Sequence, residues 1–197
     1  MADSSYLGST LLFYPDRIEV EEGGVQVMMA WERPLMQRMA QIVTVRGGDI
    51  LEVGFGMGLS CDAVRAQGPR SHTVIEAHPQ IIERARAWAQ GAANTEIIAA
   101  RWQEVITELG PFDGISFDIF GGQDQRLEFF GQLDRLLTPR GVATLWIGDD
   151  RQLQPPLRAV LDAQGFTHRF IRVSAIPDPR CTYSRSNEFF IPIISRR

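Results

Sequence analysis

The segment around which this chain is built reads Asp49-Ile50-Leu51-Glu52-Val53-Gly54-Phe55-Gly56-Met57-Gly58-Leu59-Ser60. It predicts an apolar strand over residues 49–53, a turn with alternate glycines, and a helix over residues 59–66. Glycines at alternate positions let the backbone turn sharply and approach a ligand without a Cβ in the way. The segment therefore predicts the first strand of an α/β fold, followed by a ligand-binding turn.

An acidic residue, Glu52, lies two positions before the first glycine of this turn, Gly54. A carboxylate beside a pyrophosphate is unfavourable, whereas a carboxylate that faces a cationic ammonium group is stabilising. The pattern E-x-G-x-G-x-G therefore favours S-adenosylmethionine, which is cationic and has no phosphate, over a dinucleotide. A strand-to-helix turn without a ligand uses similar glycines, so the assignment needs support from elsewhere in the chain.

Length and composition are those of one globular domain. The chain has 197 residues, 44% of them hydrophobic and 22% charged, and a net charge of −4 that argues against nucleic acid as the main partner. No apolar run approaches the roughly 20 residues of a membrane span, and no signal-like segment opens the chain. We therefore expect a cytoplasmic protein with no membrane partner. All 20 basic residues are arginine, which we interpret as the base composition of a GC-rich bacterial genome.

Cysteine and histidine give no sign of a metal site. Cys61 and Cys181 are far apart, which predicts neither a disulfide framework nor a metal cluster. His72, His78 and His168 are scattered without the spacing of metal ligands, so we predict no metal.

Strands and helices alternate after the glycine turn. This alternation predicts a parallel sheet covered by helices on both faces, with two final apolar stretches as an antiparallel pair. The fold class is α/β, with a Rossmann-like, mostly parallel seven-stranded sheet. Predicted strands cover residues 73–76, 96–99, 112–120 and 142–147, predicted helices 79–90, 126–137 and 156–164, and the terminal pair 170–173 and 189–194.

The amino-terminal region divides at Gly23-Gly24. Residues 1–24 are predicted to form an arm or lid, and residues 25–197 a single domain. Apolar residues recur at helical spacing from residue 25 to residue 43, which predicts a helix whose apolar stripe packs in the core. Glu32 is the exception in that stripe, because it lies between Trp31 and Pro34 near the start of a helix.

In such a sheet, ligands bind at the carboxyl ends of the strands. Residues 52–58, Glu76, Trp102 and Asp118 lie at the ends of the first four predicted strands, so they converge on one crevice. Glu76 lies about 20 residues beyond the turn, where a carboxylate contacts ribose hydroxyls. Trp102 is predicted to wall the adenine, or else to pack in the core. Asp118 is either a ligand-binding acid or a structural cap.

The sequence resembles the guanidinoacetate N-methyltransferases, a class I family that includes related arginine methyltransferases. The resemblance spans residues 25–195. Its most specific parts are the W-E-x-P motif at residues 31–34 and the string E-V-G-F-G-M at residues 52–57. The other matching stretches are Met28-Met29-Ala30, Ile75-Glu76, Trp102-Gln103-Glu104-Val105, Phe112-Asp113-Gly114-Ile115-Ser116-Phe117-Asp118 and Cys181-Thr182-Tyr183.

The resemblance implies a class I methyltransferase fold and S-adenosylmethionine as the cofactor. It also implies an acceptor site in which Glu32 and Asp118 hold the guanidinium and act as the catalytic residues, with Gly148 and Asp149 as further substrate contacts. The cofactor contacts implied are Met28, Met36, Glu52, Gly54, Gly56, Met57, Gly58, Glu76, Ala77, Trp102 and Gln103.

The chemistry of a guanidinium agrees with this assignment. The group has a pKa above 12 and presents a planar fork of donors, which two carboxylates bind bidentately. Its nitrogens are poor nucleophiles while the cation is delocalised. A carboxylate that accepts a proton as the N–C bond forms localises a lone pair on the attacking nitrogen.

Three positions depart from the family pattern. Ile119 stands where the guanidinoacetate enzymes have threonine, Arg33 replaces a small residue, and Asp149-Asp150 follow Gly148 where the family offers neutral donors to a substrate carboxylate. This acid pair either faces solvent or repels a carboxylate by about 1 kcal/mol or more. We therefore expect guanidinoacetate to be a poor substrate and the acceptor to present a neutral, hydroxylated or ammonium group there.

The predicted function is N-methylation of the guanidino group of a small molecule, such as an arginine-derived metabolite of bacterial specialised metabolism. The alternative keeps the fold and cofactor but methylates another amine, an amide, a hydroxyl or a protein arginine. A regulatory module that only retains the fold would be expected to lose Asp118 or the glycines. An NAD-linked oxidoreductase is disfavoured by Glu52, Trp102 and the absence of lysine. A homodimer is left open.

Overall fold

A central sheet of seven strands carries most of the chain. The structure is a computed structural model that describes residues 2–197, with side chains from residue 5 onward. The strands are β1 Leu11–Phe13, β2 Arg17–Val20, β3 Gln26–Met29, β4 Asp49–Val53, β5 Ser71–Glu76, β6 Thr95–Ala99, β7 Phe112–Phe117, β8 Leu137–Leu145, β9 Phe166–Ser174 and β10 Glu188–Arg196. The helices are α1 Ala2–Leu7, α2 Arg33–Val43, α3 Leu59–Ala66, α4 Pro79–Ala89, α5 Trp102–Val105, α6 Gln123–Phe130, α7 Leu133–Leu136 and α8 Pro155–Ala163.

The large sheet has the strand order β6-β5-β4-β7-β8-β10-β9. Its first five strands pair in parallel, whereas β10 pairs antiparallel with both β8 and β9. A mostly parallel seven-stranded sheet with an antiparallel carboxyl-terminal pair is confirmed. Strand order reverses at β4, which is the point where a ligand crevice forms in an open α/β sheet.

Both faces of the sheet are buried, which explains why its inner strands are almost continuously apolar. On one face Phe117 packs with Phe129 and Phe130 of α6, and none of the three is exposed by more than 1%. On the other face Met36 and Met39 of α2 are fully buried. Each such side chain stabilises the fold by about 1.5–3 kcal/mol.

The amino-terminal region differs from its prediction. Strands β1, β2 and β3 form a small antiparallel sheet, and a 3-10 turn over Ala30–Glu32 joins β3 to α2. The prediction of one helix over residues 25–43 was wrong for its first third, because β3 pairs with β2 instead. The side chain of Gln26 also accepts a hydrogen bond from the backbone N–H of Thr182 at 2.8 Å. Long-range pairing thus outweighs the helical spacing of the apolar residues.

Several further boundaries moved, and β7, predicted over residues 112–120, ends at Phe117. The helix predicted over residues 126–137 is two helices, α6 and α7, separated at Gly131 and Gln132. The strand predicted over residues 142–147 begins earlier, at Leu137, and ends at Leu145. Among the described helices, none has both the length and the apolar character needed to cross a bilayer.

Candidate active site

A cavity of about 420 Å³ lies at the carboxyl ends of β4, β5 and β7. Four acidic side chains reach its wall, whereas Arg101 is the one basic side chain among the described residues that line it. A cavity with this excess of negative charge favours a cationic ligand and disfavours phosphates. The acidic residues are Glu32, Glu52, Glu76 and Asp118.

The glycine turn follows β4 and forms the floor of the cavity. Gly54 has a φ of +98°, and a Cβ placed there would overlap the carbonyl oxygen of Asp118. Gly56 has a φ of +54°, and a Cβ there would press against the sulfur of Met28. The turn thus brings the ends of β4 and β7 together at a distance that no larger residue permits. Met57 donates its backbone N–H to the same sulfur at 3.2 Å.

Glu76 is the last residue of β5, and backbone donors fix its carboxylate. Oε1 accepts the N–H groups of Ala77 and His78, each at 2.8 Å, and Oε2 accepts the N–H of Phe55 at 2.9 Å. The side chain is 8% exposed, and it lines the cavity. Its position is therefore set before any ligand binds, as a group that recognises hydroxyls requires.

Glu32 closes the 3-10 turn before α2 and is 4% exposed. Its Oε1 accepts the N–H of Met29 at 2.9 Å and the hydroxyl of Tyr183 at 2.5 Å. Oε2 has no hydrogen-bond partner among the residues that the structure describes. Burial raises the pKa of this carboxyl to about 7, and the negative charge of Asp118 adds to the effect. One oxygen is thus held in place while the other is free to accept a donor.

Asp118 is the first residue after β7, and its backbone N–H continues the pairing with β4 through the carbonyl of Val53 at 2.9 Å. Its side chain is partly exposed where it lines the cavity. Burial raises the pKa of Asp118 to about 6, Arg126 opposes that shift, and Glu52 adds to it. Glu32 and Asp118 are therefore two acids that repel each other's ionised form at the wall of one cavity.

Glu52 faces α3 rather than standing alone below the turn. Its Oε2 lies 2.6 Å from Nε2 of His72 on β5, and both side chains are at most 2% exposed. Burial raises the pKa of the neighbouring Cys61 thiol, and Glu52 contributes to the same effect. Glu52, Cys61 and His72 place ligand atoms within 4.8 Å of one another. Glu52 forms hydrogen bonds with both of the others, so we assign no metal to this group.

The wall near the expected adenine position is aromatic. Trp102 is 4% exposed, donates its indole N–H to Gln125 at 3.1 Å and packs edge-on against Phe129. It is therefore both a core residue and part of the cavity wall. Tyr6 of α1 stacks with Phe120 at 4.4 Å between ring centroids and covers the cavity from the amino-terminal side.

The structure brings most of the predicted site residues to this cavity. The exceptions are Met57 and Gly58 of the turn, and Gly148 and Asp149 after β8. Asp149 is exposed and accepts the hydroxyl of Ser184 at 2.6 Å, away from the cavity wall. The predicted residues that line the cavity are Met28, Glu32, Met36, Glu52, Gly54, Gly56, Glu76, Ala77, Trp102, Gln103 and Asp118.

Sequence analysis did not assign roles to four residues at or near this site. Tyr183 contacts Glu32, His72 contacts Glu52, Arg126 lies near Asp118, and Trp146 lines the cavity wall. Tyr183 belonged to the matching stretch Cys181-Thr182-Tyr183, which was the available signal for it. The sequence carried no comparable signal for the other three.

Comparison with known proteins gives matches in both sequence and structure. The model of a family described as guanidinoacetate N-methyltransferase matches residues 13–146. Protein arginine N-methyltransferase 2 of Aspergillus oryzae is 33% identical over 165 residues, which cover 78% of this chain and 39% of that protein. The protein of the same name from Saccharomyces cerevisiae is 29% identical over 163 residues, with 75% and 39% covered. The chain therefore spans about two fifths of the length of these relatives.

Solved structures share the fold at low sequence identity. Spermidine synthase from Thermotoga maritima has a TM-score of 0.70 at 15% identity, with 95% of this chain and 72% of that chain covered. Precorrin-6y C5,15-methyltransferase from Geobacter metallireducens has a TM-score of 0.64 at 14% identity, with 92% and 93% covered. At these identities the similarity establishes the Rossmann-like architecture.

Proposed function

This chain belongs to the guanidinoacetate N-methyltransferase family, and from that premise we propose that it transfers a methyl group from S-adenosylmethionine to a guanidino nitrogen. One observation carries the proposal: two acids, Glu32 and Asp118, face one cavity whose described lining has a large excess of negative charge. A guanidinium would neutralise both acids at once.

The lining fits the cofactor of this family. S-adenosylmethionine carries a sulfonium, an ammonium and a ribose, and it supplies an electrophilic methyl group when bound. Glu76 is fixed by three backbone donors and is placed to accept ribose hydroxyls. Glu52, on β4, also lines the cavity and would attract the ammonium by its charge, and Trp102 would form the wall beside the adenine. No basic cluster is present in the described lining to hold the pyrophosphate of a dinucleotide.

The acceptor would bind between the two catalytic carboxylates. Oε2 of Glu32 is free to accept one guanidinium N–H, and Asp118, on the wall of the same cavity, would accept another. Contacts from a guanidinium to two separate carboxylates are charge-assisted and geometrically specific. They orient the attacking nitrogen, and alignment supplies much of the rate enhancement in a direct methyl transfer.

Deprotonation completes the reaction. The N–C bond forms as the S–C bond breaks, and the guanidinium gives up one proton so that the methylated product keeps a single positive charge. A carboxylate with a pKa near the working pH is an efficient acceptor for that proton. Asp118, with a pKa of about 6, and Glu32, with a pKa of about 7, both meet this condition.

We propose a small-molecule guanidine as the acceptor, in a cytoplasmic setting that is consistent with two free cysteines. The names of the fungal relatives favour a second candidate, the arginine side chain of a protein. In both cases the same guanidinium would occupy the space between Glu32 and Asp118. The two candidates differ only in what is attached to that group.

Two experiments test the proposal. Calorimetry should show micromolar binding of S-adenosylmethionine or its demethylated product and weaker binding of NAD. Methyl transfer from labelled cofactor should then be measured on guanidinoacetate, arginine, agmatine, simple amines and an arginine-containing peptide. Transfer to a guanidine supports the proposal, and the peptide separates its two candidates. Tighter binding of NAD, or transfer to simple amines alone, would refute it.

A further inference from the structure

A second cavity, of about 570 Å³, lies at the opposite end of the sheet and is lined by arginines. Pro139 to Val142 of β8 form one side, at the end of that strand remote from Trp146, and β9, β10 and the last turn of α2 form the others. Five arginines line this arginine groove, and no acidic residue is among the described residues that do so. They are Arg38, Arg46, Arg140, Arg169 and Arg196.

Most of these arginines have no counter-charge. Arg46, Arg140 and Arg169 are exposed and form no ion pair with any residue that the structure describes. Arg38 donates to the neutral side chain of Gln41 at 2.8 Å, and Arg196 is the one member paired with an acid, Asp134. Elsewhere the chain pairs its arginines readily, as at Arg70 with Asp49 and Arg172 with Glu188.

The floor between the arginines is apolar. Ile42 of α2 and Ile193 of β10 lie at its base, and Val45 at its rim is 68% exposed, which is high for a valine. Ile171 and Arg169 lie on the same face of β9, the edge strand of the sheet. The groove therefore presents arginine guanidinium groups around an apolar strip.

We propose that the arginine groove binds an extended acidic segment of a partner protein, in which carboxylates alternate with apolar side chains. Arginine forks match carboxylates bidentately, and the apolar floor accommodates the intervening side chains. A phosphodiester backbone would supply the negative charge but would leave that floor uncovered. The chain as a whole has a net charge of −4, so an acidic segment is repelled elsewhere and attracted here.

The test uses the full chain and a labelled peptide of twelve residues that alternates glutamate and leucine. Fluorescence anisotropy in physiological salt should show binding, and the double variant Arg140→Glu, Arg169→Glu should weaken it by at least about tenfold. The double variant Arg86→Glu, Arg158→Glu makes the same charge change outside the groove and should stay within about twofold. A milder pair, Arg140→Ala and Arg169→Ala, repeats the measurement if charge reversal unfolds the chain.

Three further probes decide between ligand classes. A peptide that alternates glutamate and serine has the same charge and should bind several-fold more weakly, because it cannot cover the floor. Tighter binding of an RNA oligonucleotide, or of vesicles rich in phosphatidylserine, would overturn the proposal. Equal losses in both double variants would also overturn it, since the attraction would then be non-specific. Cofactor affinity, measured alongside, should be unchanged in every variant.

Discussion

The two ends of the central sheet carry opposite charge. At the carboxyl ends of the strands, four acids line the cavity and Arg101 is the one basic residue in its described lining. At the opposite end, beside the amino-terminal half of β8, five arginines line the groove, and its described lining includes no acid. Both cavities lie against the same sheet, so the fold does not dictate which charge each one carries. The side chains that the loops and strand ends present make that difference.

The charged side chains at the two ends also differ in burial and in hydrogen bonding. In the acidic cavity, Glu32, Glu52 and Glu76 are at most 8% exposed, and each accepts hydrogen bonds that fix its position. In the arginine groove, Arg46, Arg140 and Arg169 are exposed. Fixed, desolvated charge suits a reaction that needs alignment, whereas exposed charge suits docking of a flexible segment.

The largest predicted effect on activity comes from neutralising one acid of the cavity. Asp118→Asn should remove about 2–3 kcal/mol or more of transition-state stabilisation, roughly 30- to 150-fold in kcat/KM, because it loses a charge-assisted contact and a proton acceptor. Cofactor affinity should be retained. Asp124→Asn, at an exposed position of α6, is the matched control and should leave turnover unchanged. Near wild-type turnover in Asp118→Asn would remove this residue from the mechanism.

A second prediction concerns the stability cost of the fixed acids. The pKa of Glu32 rises from 4.5 to about 7 on folding, so its ionisation destabilises the fold as the pH rises through that interval and most fully above 7. Glu32→Gln removes the ionisation and keeps an oxygen for Met29 and Tyr183. The variant should therefore be more stable than the wild type at pH 8, by up to about 3 kcal/mol, although it is less active.

Urea denaturation at pH 8 and pH 5 measures this effect. The stability difference should be large at pH 8 and should fall to about 1 kcal/mol at pH 5, because the carboxyl is then protonated in the folded protein but still mostly ionised in the unfolded chain, where its pKa is 4.5. A variant that is less stable than the wild type at pH 8, or a difference of equal size at both pH values, would contradict the account.

Acceptor binding should also depend on pH, through the same two acids. A guanidinium binds best when Glu32 and Asp118 are both ionised, and their pKa values are about 7 and about 6. The KM for the best guanidino acceptor should therefore rise as the pH falls, by about tenfold from pH 7 to pH 6 and by about 50-fold from pH 6 to pH 5, where both acids titrate. Steady-state kinetics from pH 5 to pH 9 test this. A KM that is flat across pH 5–7 would exclude the two acids from acceptor binding.

The smallest predicted effect comes from removing the hydrogen bond between Tyr183 and Glu32. Tyr183 donates to Oε1 of Glu32, and this bond lowers the pKa of that carboxyl. Tyr183→Phe should cost about 1 kcal/mol in acceptor affinity and should move the acidic limb of the pH profile to higher pH. Tyr14→Phe, at an exposed position outside the cavity lining, is the control. A profile with an unmoved limb would show that the hydroxyl does not tune Glu32.

Much of the fold was predictable because its signals are local. Strand β4 and helix α3 were predicted with the bounds that the structure shows, since a glycine turn separates an apolar run from a helical pattern. The prediction of one helix over residues 25–43 was wrong at its start, where β3 pairs with β2 instead. Pairing of that kind depends on residues distant in sequence, and helical spacing of apolar residues carries no information about it.

The site residues that could be predicted from the sequence pattern are those at the ends of predicted strands. Glu76 is the last residue of β5, and Asp118 follows the last residue of β7, so the sheet topology alone brings them to one crevice. The role of Glu32 in the site could be predicted only from the resemblance to a known family. The pairing of Glu52 with His72 needed the parallel register of β4 and β5, and that of Glu32 with Tyr183 joins residues 151 positions apart. Such contacts have no periodicity in the sequence.

The most direct test of the central claim compares charged acceptors with neutral ones of the same shape. A urea group replaces a guanidinium almost atom for atom but carries no positive charge. Methyl transfer from labelled cofactor should be measured on arginine and citrulline, and on guanidinoacetate and ureidoacetate. We expect transfer to at least one guanidino compound and none above background to its urea partner, because only the cation neutralises Glu32 and Asp118. Equal transfer to both members of a pair, or transfer to the ureas alone, would contradict the account.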